Sequence, residues 1–448
     1  MRKETFFVKT LGCKVNQVES AYIIEKLTEE GFILENEDRA NILILNSCAV
    51  TKRADIEVYK ILKKWIKINP KLIILAGCYS QKFSEAAYIF AQKNNINNIL
   101  ILGQKEKLRI SEILKNVLPE NKNKLPLILV EDISENDVCE PLFIHKFFGH
   151  SRAFLKVQDG CDEFCSYCIV PYVRGKPRSV LLEDILRQIE IFINEGYEEI
   201  VLTGVHLGKW GADFNPPKKL TDLLIEIERF LKSFNKEFNL RLSSIEVKEI
   251  DKDFLEFLKN SEFIVPHFHI PLQSGSNKIL KLMKRNYTKE EYLETINKLY
   301  EIFPHATFGA DVIVGFPGEE EKDFIETYHL IKESPLNWLH IFPFSERPGT
   351  SAGNLNSKVP VKEIEKRKKV LKELIDKKRQ EFLKKEIDKI RKVVLEYFDK
   401  NKNMWKALSE NYISAFVKIK KEIQLSPKKI IKIKFKKLKE NYLIGEVL

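Results

Sequence analysis

The sequence predicts an α/β protein in three parts: an N-terminal parallel α/β sheet, a central open barrel of six β/α units, and a small C-terminal β-barrel. Three observations lead there. From residue 5 to about 118, apolar strand segments alternate with amphipathic helical ones, as a parallel sheet requires. The alternation resumes at residue 153 and runs through six strand segments to residue 342. Near residue 431 the period changes to apolar residues alternating with lysine, the pattern of a half-buried strand.

The first part reads as strand 5–10, helix 19–30, strand 41–46, helix 54–67 and strand 71–76, closed by a strand and helix over 99–118. Parallel α/β sheets bind ligands beyond the carboxyl ends of their strands. Cys13, Cys48 and Cys78 each follow such an end, so three thiols far apart in sequence are expected to meet at one rim. On spacing alone they could be inert core residues, the lesser reading; the topology favours convergence further. Gly12 and Gly77 stand just before two of them, where the chain must turn tightly. A polar run starting at residue 119 opens a linker holding Cys139, which is read as non-ligating. The expected limits are 1–120 for the sheet domain, 121–148 for the linker, 149–380 for the barrel and 381–448 for the C-terminal domain.

Strand 153–157 leads directly into Gly160-Cys161-Asp162-Glu163-Phe164-Cys165-Ser166-Tyr167-Cys168, a C-x3-C-x2-C loop. A four-thiolate zinc site would want a fourth close cysteine, and the next one is the distant Cys139. Thiolates are soft donors that hold iron–sulfur clusters, and a cubane with three protein ligands keeps one iron open. Five further helix–strand pairs follow: 181–195 with 199–203, 220–231 with 240–244, 253–259 with 265–270, 289–302 with 307–314, and 321–333 with 338–342. Barrel sites lie at the carboxyl-terminal rim, which makes Thr203, Gly204, Ser243, Gln273 and Asp311 candidate cofactor contacts. A lone His206 or His267 is more often a satisfied surface histidine than a ligand.

At 448 residues, 44% hydrophobic and 31% charged, the chain is expected to be globular and soluble, without any apolar run near the roughly 20 residues that cross a bilayer. No apolar signal segment precedes Cys13, so a cytoplasmic location is expected. Seven cysteines, an odd number in groups, fit metal ligation in a reducing compartment better than a disulfide framework. The net charge of +11 favours a polyanionic partner such as nucleic acid. Between residues 417 and 440 stand ten lysines and two glutamates, a local balance of +8. A strand there would bury Ile431, Ile433 and Phe435 and present Lys432, Lys434 and Lys436 to RNA phosphates. Before it, a lysine-rich helix over 361–390 carries a one-sided apolar stripe that suits packing on the barrel.

The C-x3-C-x2-C loop is similar to that of the radical S-adenosylmethionine superfamily. This implies an iron that chelates S-adenosylmethionine, a 5′-deoxyadenosyl radical formed from it, and Tyr167 packed beside the adenosyl group. Joined by Leu11-Gly12-Cys13-Lys14-Val15-Asn16, Asn46-Ser47-Cys48, Ala76-Gly77-Cys78, Cys168-Ile169-Val170-Pro171-Tyr172 with Arg174-Gly175, and the 271–275 and 343–350 loops, it resembles the methylthiotransferase family over essentially the whole chain. Lys14-Val15-Asn16 is similar to the branch acting on N6-threonylcarbamoyladenosine at tRNA position 37. One departure is visible: Val247 follows Ser-Ser-Ile-Glu where the family often has proline.

The resemblance implies two [4Fe-4S] clusters, on Cys161, Cys165 and Cys168 and on Cys13, Cys48 and Cys78, with a TRAM-type RNA-binding β-barrel at the C-terminus. It also implies an anticodon-loop substrate, an electron donor such as flavodoxin or ferredoxin, and no membrane partner; a monomer is expected. Arg174 and Arg178 are candidate phosphate contacts beside the lysines. The rival readings are a methylthiotransferase for isopentenyladenosine tRNA or for a ribosomal-protein aspartate and, from another class, a non-catalytic iron–sulfur RNA-binding or redox-sensing protein.

Overall fold

The computed structural model describes residues 4–120, 125–134, 138–147, 149–418 and 426–448. Strands β1 (Thr5–Thr10), β2 (Ile33–Leu34), β3 (Ile42–Ser47), β4 (Leu72–Gly77), β5 (Ile99–Leu102) and β6 (Leu127–Leu129) form a parallel sheet in the order β2-β1-β3-β4-β5-β6. The central segments ILILNS, LIILAG and ILIL are buried at every position, because helices cover both faces. Register decides where these strands stop. Thr10 pairs with Asn46 and Asn46 with Ala76, so β1, β3 and β4 end level with one another. The segment expected to be pure linker instead contributes β6, paired to β5 through Leu100 and Leu127.

Strands β7 (Ala153–Asp159), β8 (Arg178–Ser179), β9 (Glu199–Gly204) and β10 (Asn239–Leu242) lie in the order β10-β9-β7-β8, where the two-residue β8 runs antiparallel to the tip of β7. Strands β11 (His267–His269), β12 (Thr307–Val314) and β13 (Trp338–Pro343) form a second parallel set, and a bridge from Leu240 to Ile264 links β10 to it. The six β/α strands expected from the sequence are therefore present in sequence order. Val247, at the departure from the family pattern, is buried and starts a short 3-10 turn, Val247–Glu249.

Helix Val361–Lys385 buries Leu371, Ile375 and Leu383. It leads to a closed barrel of β14 (Ile390–Asp399), β15 (Met404–Ser409), β16 (Ser414–Lys418), β17 (Ile430–Lys439) and β18 (Tyr442–Val447). In β17 the side chains of Ile433 and Phe435 are fully buried and Ile431 is half-buried. Part of the lysine-rich segment, residues 419–425, lies outside the described residues.

Two compact units emerge, and their limits differ from those expected. One takes residues 1–146, 158–180 and 345–353; the other takes 147–157, 181–344 and 354–448. Polar anchoring accounts for this division. In the first unit Arg174 bonds Glu19 at 2.6 Å and Arg347 bonds Asp55 at 2.6 Å, tying the cysteine loop and the 345–353 segment to the N-terminal sheet. In the second, Thr307 Oγ1 donates to Asn411 O at 2.6 Å and Arg241 donates to the carbonyls of Ser409 and Glu410, which seats the C-terminal barrel on the β/α strands. Among the described residues no helix is long and apolar enough to cross a membrane.

Candidate metal and cofactor site

All six cysteines of the two triads belong to the first unit. Cys48 and Cys78 directly follow the paired ends Ser47 and Gly77, and Cys13 stands before helix Lys14–Glu29. Level strand ends thus bring the three together as the topology predicts. A Cβ on Gly12 would lie 3.0 Å from Cys48 Sγ, and Gly12 has φ +98°. A Cβ on Gly77, also at φ +98°, would lie 2.6 Å from Asn46 Oδ1. Both positions therefore require glycine on two counts, close approach and the left-handed backbone.

Burial pushes the Cys48 thiol up to about 12, and the neighbouring Cys78 and Cys13 add to the effect. Cys13 keeps accessible surface, yet desolvation still dominates and raises its titration, against the lowering pull of Arg174. Three thiolates this close repel one another, so the donor set fits a cationic metal centre that would offset their charge. Gln104 Nε2 donates to Cys78 Sγ at 3.1 Å, the kind of N–H···S bond that steadies a thiolate.

The second triad is set by its own loop. Gly160 (φ +79°) could not be replaced without a Cβ 1.9 Å from Lys176 O, and Cys161 N donates to Gly175 O at 2.9 Å. Cys168 N donates to Cys165 O, closing the turn between the last two cysteines. Cys165 is buried, while Cys161, Cys168 and Tyr167 are half-buried. A soft, partly open donor set on a polar loop fits an iron–sulfur cluster with one exchangeable position.

A buried ionic network joins the segments that carry the two triads. The Arg174 guanidinium donates to both Glu19 oxygens (2.6 and 3.0 Å), to Asp159 (3.2 Å) and to Asn16 Oδ1 (2.5 Å). Lys107, fully buried, donates to Glu19 at 2.5 Å. Burial alone would lower the Arg174 pKa, but the charges of Glu19, Cys78 and Asp159 hold it well above its ordinary value. Burial pushes Lys107 down, against the pull of Glu19.

This corrects the assignment of Arg174 and Arg178 as phosphate contacts. Arg174 is 2% exposed and Arg178 3%, and Arg178 donates to the carbonyls of Arg174 and Lys176. Guanidinium groups buried among protein partners are structural. Glu19, Lys107, Gln104 and Asp159 escape sequence reasoning. The spacing of Asn16, Glu19 and Ser20, all buried on helix Lys14–Glu29, was a usable signal for a polar helix face turned inward; Lys107 had none.

In the second unit the expected cofactor contacts follow successive strand ends. Thr203 and Gly204 close β9, and Ser243 follows β10 with its N–H donating to Leu202 O. Gln273, at φ +61°, donates its N–H to Asp311 O on β12. Ser243 Oγ is buried and, among the described residues, has no hydrogen-bond partner. A buried hydroxyl left unsatisfied costs free energy, so this position fits a polar ligand such as the adenosyl or methionyl part of S-adenosylmethionine. Asp311 is already engaged by His269 Nε2 at 3.1 Å. His206 is not a surface residue: it is buried and paired with Glu249. His267 is buried too and stacks on Tyr412 at 4.0 Å.

On β17, Lys432, Lys434 and Lys436 point outward as the alternation predicts, each near one acid: Glu237 at 3.6 Å, Asp388 at 3.5 Å and Glu446 at 3.9 Å. Such exposed pairs are weak and exchange readily for phosphate.

The Radical SAM superfamily model matches residues 155–331, and the model described as Uncharacterized protein family UPF0004 matches residues 5–100. The chain is 38% identical, over 90% of its length and 94% of the relative's, to a threonylcarbamoyladenosine tRNA methylthiotransferase MtaB of Aquifex aeolicus. It is 34% identical, over 98% of its length and 94% of the relative's, to the protein of that name in Bacillus subtilis. A tRNA-2-methylthio-N(6)-dimethylallyladenosine synthase of Clostridium tetani is 33% identical over 89% of this chain and 87% of its own. Among solved structures, the radical S-adenosylmethionine methyltransferase TsrM of Kitasatospora setae, with cobalamin and a [4Fe-4S] cluster bound, shares the fold at TM-score 0.56 and 12% identity, over 78% of this chain and 74% of that one.

Proposed function

Since this chain belongs to the radical S-adenosylmethionine methylthiotransferase family, we propose that it adds a methylthio group to C2 of N6-threonylcarbamoyladenosine at position 37 of tRNA. The observation that carries the reading is the meeting of Cys13, Cys48 and Cys78 in the same compact unit as the Cys161 loop. In this reading Cys161, Cys165 and Cys168 hold one [4Fe-4S] cluster and Cys13, Cys48 and Cys78 the other. With S-adenosylmethionine bound, these groups supply a 5′-deoxyadenosyl radical and a methylated sulfur, chemistry suited to a carbon without an acidic proton.

The protein's own residues do the positioning. Gly160 and Gly175 shape the Cys161 loop, and Arg174 anchors that loop to helix Lys14–Glu29 behind Cys13. Gln104 orients Cys78. Thr203, Gly204, Ser243 and Gln273 are the proposed S-adenosylmethionine contacts, with Tyr167 beside the adenosyl group. Lys432, Lys434 and Lys436 take tRNA phosphates, and the target base leaves the anticodon loop to react. A flavodoxin or ferredoxin as electron donor, a cytoplasmic location and a monomeric state complete the reading.

Expression in a host lacking its own enzyme, followed by nucleoside analysis of the tRNA, tests it. The expected product is 2-methylthio-N6-threonylcarbamoyladenosine. Appearance of the isopentenyl counterpart alone, or of neither, would overturn the assignment.

A further inference from the structure

Relatives named for the threonylcarbamoyl and the dimethylallyl base stand at similar identity to this chain, so overall similarity does not separate the targets and the residues able to read the base do. The β11-β12-β13 sheet presents a suitable set. Alternation along β12 sends Phe308, Ala310, Val312 and Val314, at most 1% exposed, into the core. The opposite face, buried at Thr307 and Gly309, opens at Asp311, which is paired in register with His340, while Gly309 pairs with His269 on one side and Trp338 on the other. Trp338 and Phe342, 37% and 43% exposed, flank His340 on the same face.

The polar groups converge. His269 Nε2 lies 3.1 Å from Asp311 Oδ1, and one side-chain nitrogen or oxygen from each of His269, Asp311 and His340 lies within 4.8 Å of the others. Gly309 makes room, since a Cβ there would sit 2.9 Å from His269 Nδ1. The Trp338 indole, which can only donate, points its N–H at His340 Nε2 at 3.4 Å. Nε2 is thus an acceptor, and the neutral ring carries its proton on Nδ1. A metal-bound imidazole has the opposite arrangement, with the second nitrogen donating to an oxygen, so the site suits an organic ligand with acceptor oxygens better than a cation.

We propose that this face reads the substituent on N6 of the target adenine. His340 donates to the threonine carboxylate, Asp311, held by His269, accepts from the threonyl hydroxyl or ureido N–H, and Trp338 and Phe342 pack against the planar groups. The inference rests on the function proposed above. An isopentenyl group carries no hydrogen-bonding atom and would offer nothing to the His340 donor or to Asp311, which is how a built polar site discriminates.

The test uses the cluster-loaded full chain with tRNA bearing either threonylcarbamoyladenosine or isopentenyladenosine at position 37. For His340→Phe, which keeps a planar ring and removes the donor, kcat/KM on the threonylcarbamoyl substrate falls roughly 10- to 100-fold. The preference for that substrate over the isopentenyl one narrows by the same factor. His340→Gln, which keeps an N–H, recovers part of the loss, a rescue that a merely structural role would not show. An unchanged preference in both variants, equal losses on both substrates, or a stoichiometric divalent metal lost in His340→Phe overturns the proposal. Failure of the underlying function looks different: the wild-type chain itself would be inactive on threonylcarbamoyladenosine tRNA.

Discussion

The two cysteine triads share a compact unit but are built by opposite means. Cys161, Cys165 and Cys168 are held by one loop whose geometry is local: a left-handed glycine on each side, a backbone bond from Cys161 to Gly175, and a turn from Cys165 to Cys168. Cys13, Cys48 and Cys78 span 65 positions and meet only because three strands end at one level. A slip of one residue in β4 would carry Cys78 about 3.3 Å and turn its side chain to the other face of the sheet. The first triad is a property of a sequence segment; the second is a property of a sheet.

Cysteine substitution sets the two apart most sharply. Cys165→Ala is expected to abolish reductive cleavage of S-adenosylmethionine, measured as 5′-deoxyadenosine. Cys48→Ala is expected to abolish methylthio product while 5′-deoxyadenosine still forms. Each is expected to lose one cluster, so iron in anaerobically prepared protein should fall from roughly eight to roughly four per chain. Equal loss of 5′-deoxyadenosine in both variants would erase the division of labour.

Glu19 is the shared carboxylate of the network that joins the two triads' segments. Glu19→Gln leaves Arg174 and Lys107 buried without their shared carboxylate, a loss of about 3–5 kcal/mol in denaturant unfolding. Both clusters should suffer together. A variant that lost only the Cys13, Cys48 and Cys78 cluster would mean that the Arg174 bridge does not hold the Cys161 loop.

The smallest effect belongs to the C-terminal barrel, remote in sequence from both triads. Replacing Lys432, Lys434 and Lys436 with Gln should weaken tRNA binding and flatten its salt dependence by a slope of about 2. Cluster content should be unchanged. An unaltered salt slope would remove these lysines from the tRNA contact.

Much of this architecture was legible because it follows from period. Strands 307–314 and helices 289–302 and 321–333 match the structure at both ends, since long apolar alternation and capping residues such as Thr288 are local signals. The short strand β6 was missed: Leu127-Ile128-Leu129 is an apolar run too brief to stand out from the polar, proline-containing segment before it, and it pairs with the edge that β5 offers. Arg174 and Arg178 read as surface cations because a basic cluster beside a functional loop looks the same whether it faces water or protein. Their burial depends on Glu19 and Asp159, which lie elsewhere in the chain.

What the amino-acid order determined by itself is the donor chemistry and the local geometry: six thiols, the tight C-x3-C-x2-C loop, the glycines that let the chain turn, and the alternation that turns lysines outward on β17. Only the tertiary structure decided which distant groups meet. It drew Glu19, Lys107, Asp159 and Arg174 into one buried network, and set His269, Asp311 and His340 side by side on three strands. The reason is physical: spacing along a chain governs contacts only within a turn or two, whereas register and the requirement that buried charges be paired act across the whole sheet.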